Sequence, residues 1–393
     1  MKGGLIMENL INSQVRSIEI SGIRQFFNRV AQVQDAVQLT LGQPDFPTPQ
    51  HIKDAAKKAI DDNQTRYTKN AGETRLLKAA VNFLKVNYGL EYDWETEVLT
   101  SVGASQAIDV AMRTIIEPGT EVIIPAPVYP AYAPIVSLCG GTPVFVDTRD
   151  TDFIITKQQI EENQTDKTRA VILPYPSNPT GAVLTYEQAK DLADYLVNQS
   201  LFVLSDEIYS ELNYDQSHVS IAQFPGMKEK TIVINGLSKS HSMTGWRIGF
   251  AFAPAYLLKH MIKVHQYNVT CASSVSQFAA IEALTNGLDD PGVMKEQYRE
   301  RRDFVLERLE MIGIPTKRPS GAFYVFPSIK ESGLTSFDFA MKLLEEEKLA
   351  VVPGDAFSSL GEGYIRLSYA YKMDELVDAL NRLERFWKNL KSR

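Results

Sequence analysis

The chain has 393 residues, 44% of them hydrophobic, enough to bury a large core and to favour two domains over one. Its 41 basic and 48 acidic side chains leave a net charge of −7 without long single-sign runs, which argues against a nucleic-acid or anionic-membrane surface and for small-molecule partners. Cys139 and Cys271 are too few for a disulfide framework and lie in no metal-ligand spacing, no run reaches transmembrane length, and residues 1–20 lack a signal-peptide pattern, so a cytoplasmic protein with no metal site is expected.

Taken in chain order, residues 1–46 are expected to pack on a small C-terminal domain, with Met7 an alternative start and the first six residues poorly ordered. Residues 47–289 are expected to form a large domain. Between 97 and 254, short β-branched runs alternate with segments of helical period, the pattern of a mostly parallel sheet wrapped by helices. Strands are predicted at 121–125, 143–147, 170–174, 201–205, 231–235 and 248–253. A helix is predicted over 104–116, where Ile108, Ala111, Met112 and Ile115 make one buried stripe. Residues 290–309 read as a long charged helix joining two domains, its charges most simply a solvated face. A smaller α+β domain over 290–393 follows, with strands at 322–326, 350–352 and 364–368 and a last helix whose Leu376, Leu380, Leu383 and Trp387 form one stripe.

Chemically capable residues fall just after strand ends, where an open α/β sheet binds ligands: Asn178, Asp206 and Lys239. A lysine in such a crevice can form a Schiff base with an aldehyde if its pKa is lowered. Arg247, one short loop later, offers a fork suited to phosphate. Gly103, Ala104 and Ser105 open the predicted helix, whose free N–H groups could hold the same phosphate. Taken alone, each has a plainer reading: a solvated lysine, a surface ion pair, an ordinary helix cap, and, for Tyr129, an aromatic in a Pro-rich turn. The five histidines show no HExxH spacing, and GxSxG, GxGxxG after a strand and GxxxxGK[ST] are missing.

The ordered set LGQPDFPTP at Gly42, RYTKNAG at Tyr67, GASQA at Gly103, APVYP at Tyr129, YPSNPTG at Asn178, SDEIY at Asp206 and Tyr209, SKSHSMTGWR at Lys239, SGAFY at Phe323 and YIRLS at Arg366 resembles the class I/II aminotransferases of pyridoxal-phosphate fold type I, over essentially the whole chain. The resemblance implies an α/β fold with a large, mostly parallel sheet domain and a smaller α+β domain. It implies pyridoxal 5'-phosphate held by Lys239 as a Schiff base, with the freed amine acting as general acid and base. Asp206 would face the pyridine nitrogen. Asn178 and Tyr209 would bond the phenolic oxygen, Asn178 also reaching the substrate carboxylate, and Tyr129 would stack on the ring. Phosphate contacts would come from the amides of Ala104 and Ser105, the Ser238 hydroxyl, Arg247 and, across a homodimer, Tyr67 of a neighbouring subunit. Arg366 would clamp the substrate α-carboxylate, with the backbone of Gly42 close by, and the small domain would close as a lid over a bound amino acid.

Two departures stand out. Gly236 occupies the place of a common Ser or Thr three residues before the lysine, so a water or backbone amide has to replace one phosphate hydroxyl. Ser105 stands where some aspartate-specific relatives carry lysine, which weakens an aspartate reading. The segments INGLSKSHSMTGWRIGF and KVHQYNV are similar to bacterial N-acetyl-L,L-diaminopimelate aminotransferases of lysine biosynthesis. Aspartate or aromatic aminotransfer and carbon–sulfur β-elimination remain alternatives. A regulator built on this fold would need a DNA-binding module for which the chain has no spare length.

Overall fold

A computed structural model describes residues 7–18, 26 and 28–392, so the expectation about residues 1–6 lies outside the described residues. The largest sheet has seven strands: β2 (Val98–Val102), β3 (Glu121–Ala126), β4 (Thr142–Asp147), β5 (Thr168–Leu173), β6 (Phe202–Asp206), β7 (Thr231–Gly236) and β8 (Ile248–Phe252), in the order β2-β8-β7-β6-β5-β3-β4. β4, β3, β5, β6 and β7 run parallel, while β8 is antiparallel to both β7 and β2. The mostly parallel sheet expected from the sequence is therefore present. Two features were not legible: β2, whose short VLTSV run gave no clear signal, and the reversal of β8, because a strand's side-chain pattern carries no direction.

The central strands are apolar almost throughout because both faces are covered. Val122, Ile124, Ala170, Ile172, Leu204, Ile232 and Ile234 pack with the helix Gly103–Ile115, which buries the expected Ile108, Ala111, Met112 and Ile115. Their neighbours Ile123, Val171, Leu173 and Val203 face the other way, onto Ile160, Ala189, Leu192 and Leu196. Each such side chain removed from water contributes about 1.5–3 kcal/mol, so the parallel strands are fixed in register before any ligand arrives.

A second core gathers around a three-stranded antiparallel sheet of β9 (Tyr324–Val325), β11 (Val352–Pro353) and β12 (Ile365–Ser368). The predicted strand at 350–352 is split there, because β10 (Leu349–Ala350) instead pairs in parallel with β1 (Val37–Gln38). Phe26, Val30 and Leu39 join this core with Leu376, Leu380, Leu383 and Trp387 from the helix Met373–Lys391. The long helix is observed at Asp290–Ile312, but its charges are not all on a solvated face. Arg302 is fully buried and makes a two-pronged ion pair with Asp215, and Arg301 bonds Asp45 at 2.8 Å. Those bonds tie the helix to the loop after β6 and to the segment near Gly42. Among the described residues, no helix is long and apolar enough to cross a membrane.

Gly249 on β8 lies under the start of the Gly103–Ile115 helix, where an added Cβ would come within 2.5 Å of the Ala104 nitrogen and of the Gly103 carbonyl carbon. Both are backbone atoms that cannot step aside without moving the helix. Gly249→Ala is expected to lower stability by about 1–3 kcal/mol, an overpacking cost, read as a lower denaturation midpoint. An unchanged midpoint would show that the helix start is not wedged against the sheet.

Candidate functional site

A cavity of about 480 Å³ opens at the carboxyl edge of the parallel strands, within the usual range for small-molecule sites. Asp206 is the last residue of β6, and Ser238 and Lys239 lie on the single helical turn Leu237–Ser240 directly after β7. Asn178 comes from the loop after β5. Tyr129 follows β3, and Ala104 and Ser105 open the helix after β2. Because β8 is antiparallel, its beginning lies at this same edge, which brings Arg247 to the cavity. Arg366 reaches in from β12, and Thr40 to Gln43 complete the wall.

Burial governs the two groups at the centre. Lys239 is lowered from 10.5 to about 7, first by burial and then by the positive charges of Arg366 and Arg247, with Asp206 opposing. Its Nζ donates to the Gly42 carbonyl and lies 5.6 Å from the Tyr209 ring centroid. A lysine in that state is uncharged, and so nucleophilic, in roughly half of the molecules at neutral pH. Asp206 is pushed up to about 6 by burial, against which the Tyr132 hydroxyl donates to its Oδ2 at 2.7 Å and the Ile208 N–H to its Oδ1 at 3.2 Å. Glu207 raises it further and Lys239 lowers it.

Arg366 is buried and oriented on every side. Its Nη1 donates to Asn178 Oδ1 at 2.9 Å, its Nη2 to the Thr40 carbonyl at 2.6 Å, and its guanidinium lies 4.4 Å from the Tyr324 ring centroid and 4.9 Å from that of Phe357. Its Nε is buried without a hydrogen-bond partner. A fixed, incompletely satisfied guanidinium is prepared for a carboxylate.

At the opposite end, no side chain caps the helix Gly103–Ile115, whose first turn lines the cavity. The guanidinium of Arg247 lies so close to Gly103 that a Cβ there would be 2.4 Å from its Nη2, and Gly103 has φ +74 besides. Arg247 bonds only the Thr244 carbonyl, with no carboxylate paired to it among the described residues. An uncapped helix start beside a free arginine is an anion cradle. At Gly236 a Cβ would press on the Ile248 carbonyl at 3.0 Å and the Gly249 Cα at 3.1 Å, so close strand packing disfavours any side chain there, hydroxyl or not.

Of the residues singled out from the sequence, the cavity lining includes Lys239, Asp206, Tyr209, Ala104, Ser105, Tyr129, Asn178, Ser238, Arg247, Gly42 and Arg366. Gly103 is not among the lining residues but abuts the Arg247 guanidinium. Tyr67 is not brought there: it is 85% exposed and borders a surface depression with Cys271 and Val275. Among the lining residues that were not singled out, two tyrosines make the hydrogen bonds that matter most to the named groups. Tyr132, three residues after Tyr129, holds Asp206, and the Tyr-x-x-Tyr spacing at the start of a helix was the available signal. Tyr324, next to the quoted Phe323, bonds Tyr209 hydroxyl to hydroxyl at 2.8 Å.

An amine near neutrality, a buried carboxylate, an anion cradle and a carboxylate-seeking arginine in one cavity fit an aldehyde cofactor bearing a phosphate and a basic ring nitrogen. Comparison with known proteins agrees. The family model "Aminotransferase class I and II" matches residues 34–383. A probable N-acetyl-LL-diaminopimelate aminotransferase of Bacillus subtilis is 58% identical over 380 residues, covering 97% of this chain and 96% of that protein. An aspartate aminotransferase of Pyrococcus abyssi is 43% identical over 93% of this chain and 95% of its own length. The crystal structure of an aromatic aminotransferase from Pyrococcus horikoshii superposes with a TM-score of 0.89 at 43% identity, covering 93% of this chain and 99% of that one.

Tyr132→Phe keeps the buried ring and removes one of the two donors to Asp206. In the cofactor-free protein the carboxyl is expected to keep its proton to a pH about one higher, read from its infrared carbonyl band, with Tyr129→Phe as the control. An unmoved titration would mean that the Tyr132 hydroxyl does not stabilise the charged carboxylate.

Proposed function

The chain belongs to aminotransferase class I and II, a pyridoxal-phosphate-dependent family of transaminases, and from that premise we propose that it moves an amino group between glutamate/2-oxoglutarate and N-acetyl-L,L-2,6-diaminopimelate/N-acetyl-L-2-amino-6-oxopimelate, in the cytoplasm, toward lysine and diaminopimelate. The observation that carries the substrate reading is the 58% identity, over 97% of the chain, to the Bacillus protein named for that reaction. Ser105 in place of a side-chain-reading lysine favours it over aspartate. The two unpaired, half-buried cysteines are in keeping with a reducing compartment.

Bound pyridoxal phosphate supplies an electron sink for the substrate Cα–H bond. The chain's own residues do the rest. Lys239 would hold the cofactor through Nζ, and its free amine, lowered to about 7, would be suited to take the Cα proton and return it. Asp206 keeps its negative charge toward the ring nitrogen, aided by Tyr132. Arg366, braced by Asn178 and Thr40, grips the α-carboxylate. The amides of Ala104 and Ser105 with Ser238 and Arg247 would receive the phosphate, Tyr129 would lie against the ring, and Asn178 and Tyr209 would bond its phenolic oxygen. Tyr67, exposed in one chain, would reach the phosphate of a second copy, making a homodimer with shared sites. The N-terminal segment to residue 46 and residues 290–393 would move together as the closing domain over residues 47–289.

Mixing the loaded enzyme with L-glutamate should release 2-oxoglutarate, and the acetylated diaminopimelate should turn over at least about tenfold faster than aspartate or an aromatic amino acid. Faster turnover of the latter two would replace the substrate reading, and ammonia with pyruvate from cystathionine would make the protein a lyase. Lys239→Ala should lose about a thousandfold or more in turnover, whereas Arg366→Ala should chiefly raise KM for the amino acid.

A further inference from the structure

Tyr324 is fully buried on β9, paired with Ser368 on β12, and so lies diagonally across the strands from Arg366 on the same face of the small sheet. Its ring forms one wall against the Arg366 guanidinium, and Phe357 forms another. Its hydroxyl meets that of Tyr209, which stands after β6 of the large sheet, at 2.8 Å. The same hydroxyl abuts Gly42, where a Cβ would lie 2.8 Å away, so the glycine is what lets it pass. One side chain therefore touches the carboxylate-binding arginine, the N-terminal wall and the tyrosine assigned to the cofactor's phenolic oxygen.

We propose that Tyr324 is a positioning residue, its ring forming the shelf for Arg366 while its hydroxyl donates to Tyr209, so that carboxylate capture and the hydrogen bond on the cofactor's phenolic oxygen are coupled through one residue. The inference rests on the aminotransferase reading of the site. Its direction follows from donor counting: a tyrosine hydroxyl has one proton, and if Tyr209 gives its proton to the cofactor, only its lone pairs are left for Tyr324. Tyr324 must then be the donor, and a donor chain of this kind strengthens its terminal bond. Burial raises both phenols, so both keep their protons through the neutral range.

The phenolic oxygen shares its negative charge with the nitrogen that links Lys239 to the cofactor. A donor on that oxygen competes with the nitrogen for the charge, so a weaker donor lets the nitrogen keep its proton to higher pH. The charged and titratable groups around the pair are Lys239 after β7, Asp206 on β6, Tyr129 and Tyr132 after β3, Arg247 before β8, Arg366 on β12 and Tyr371 beyond it. Tyr324→Phe leaves each of these side chains in the protein.

The test is the pH titration of the visible absorption band of the loaded enzyme, for native protein, Tyr324→Phe, Tyr209→Phe and the double variant. Tyr324→Phe should move the midpoint upward by about half a pH unit or more, and should add little in the Tyr209→Phe background, because its effect passes through Tyr209. KM for glutamate should stay within about twofold in Tyr324→Phe, which keeps the shelf, and rise about tenfold in Tyr324→Leu, which removes it. A midpoint unmoved by Tyr324→Phe, or a shift that persists in full without the Tyr209 hydroxyl, overturns the proposal. If Tyr324→Leu fails to fold, the phenylalanine variants still decide. A native protein that binds pyridoxal phosphate without any visible band would instead defeat the reading of Lys239 on which the proposal rests.

Discussion

The structure depends on keeping an amine and a carboxylate out of water at the edge of one sheet. Lys239 falls from 10.5 to about 7 and Asp206 rises from 3.8 to about 6, and neither finds a direct ion-pair partner in the other. At about 1.4 kcal/mol per pH unit, the two shifts cost on the order of 5 and 3 kcal/mol of folding stability. The signs differ with pH. The raised carboxylate costs stability fully above about 6 and not at all below about 4, whereas the depressed lysine costs it below about 7 and no longer does so above 10.5. Near neutrality both are felt together, so the chemistry is located where the fold is least content. The apolar faces of β3, β5, β6 and β7 offset that cost, and they also hold the strand ends rigid enough to keep two unhappy groups in place.

Two sheets share the site, and the turn after β6 joins them. It starts with Asp206, presents Tyr209 to the cavity, and then bonds the second core through its backbone: Ala322 N–H to Leu212 carbonyl at 2.9 Å and Tyr214 N–H to Ser320 carbonyl at 2.9 Å. Asp215, at its end, receives the buried Arg302. Asp206, Tyr209 and Arg366 thus line one cavity, although Arg366 is 160 positions further along the chain than Asp206. Arg301 and Tyr298 on the Asp290–Ile312 helix bond Asp45, anchoring the segment whose Thr40 carbonyl braces Arg366 and whose Gly42 carbonyl accepts from Lys239.

What could be read beforehand follows from where the information lies. Strands such as Thr231–Gly236 and the helix Gly103–Ile115 declare themselves through local pattern, and most lining residues stand at motif positions next to strand ends. Tyr132 and Tyr324 did not, because what distinguishes them is a partner 74 and 115 positions away. Arg301 and Arg302 looked solvated for the same reason: periodicity marks a face as charged but cannot supply the Asp45 or Asp215 that allows the charge to be buried. Tyr67 matched a motif, yet a single chain leaves it in solvent.

The reversal of β8 explains how Lys239 and Arg247 reach one edge of the cavity from one short stretch. In the parallel strands only the carboxyl ends reach the cavity, so a parallel β8 would have needed a long crossover and would have started at the far edge of the sheet. Running antiparallel, it begins beside the end of β7, with Gly236 opposite Gly249. Lys239 and Arg247 then stand at the same edge, eight residues apart in sequence. The arrangement sets its own steric terms. Gly249 must yield to the first backbone atoms of the Gly103–Ile115 helix, Gly103 to the Arg247 guanidinium, and Gly236 to the Ile248 carbonyl. Three glycines from two separate stretches of the chain thus answer to one local crowding, that of a helix start, a hairpin and an arginine converging at one edge of the cavity.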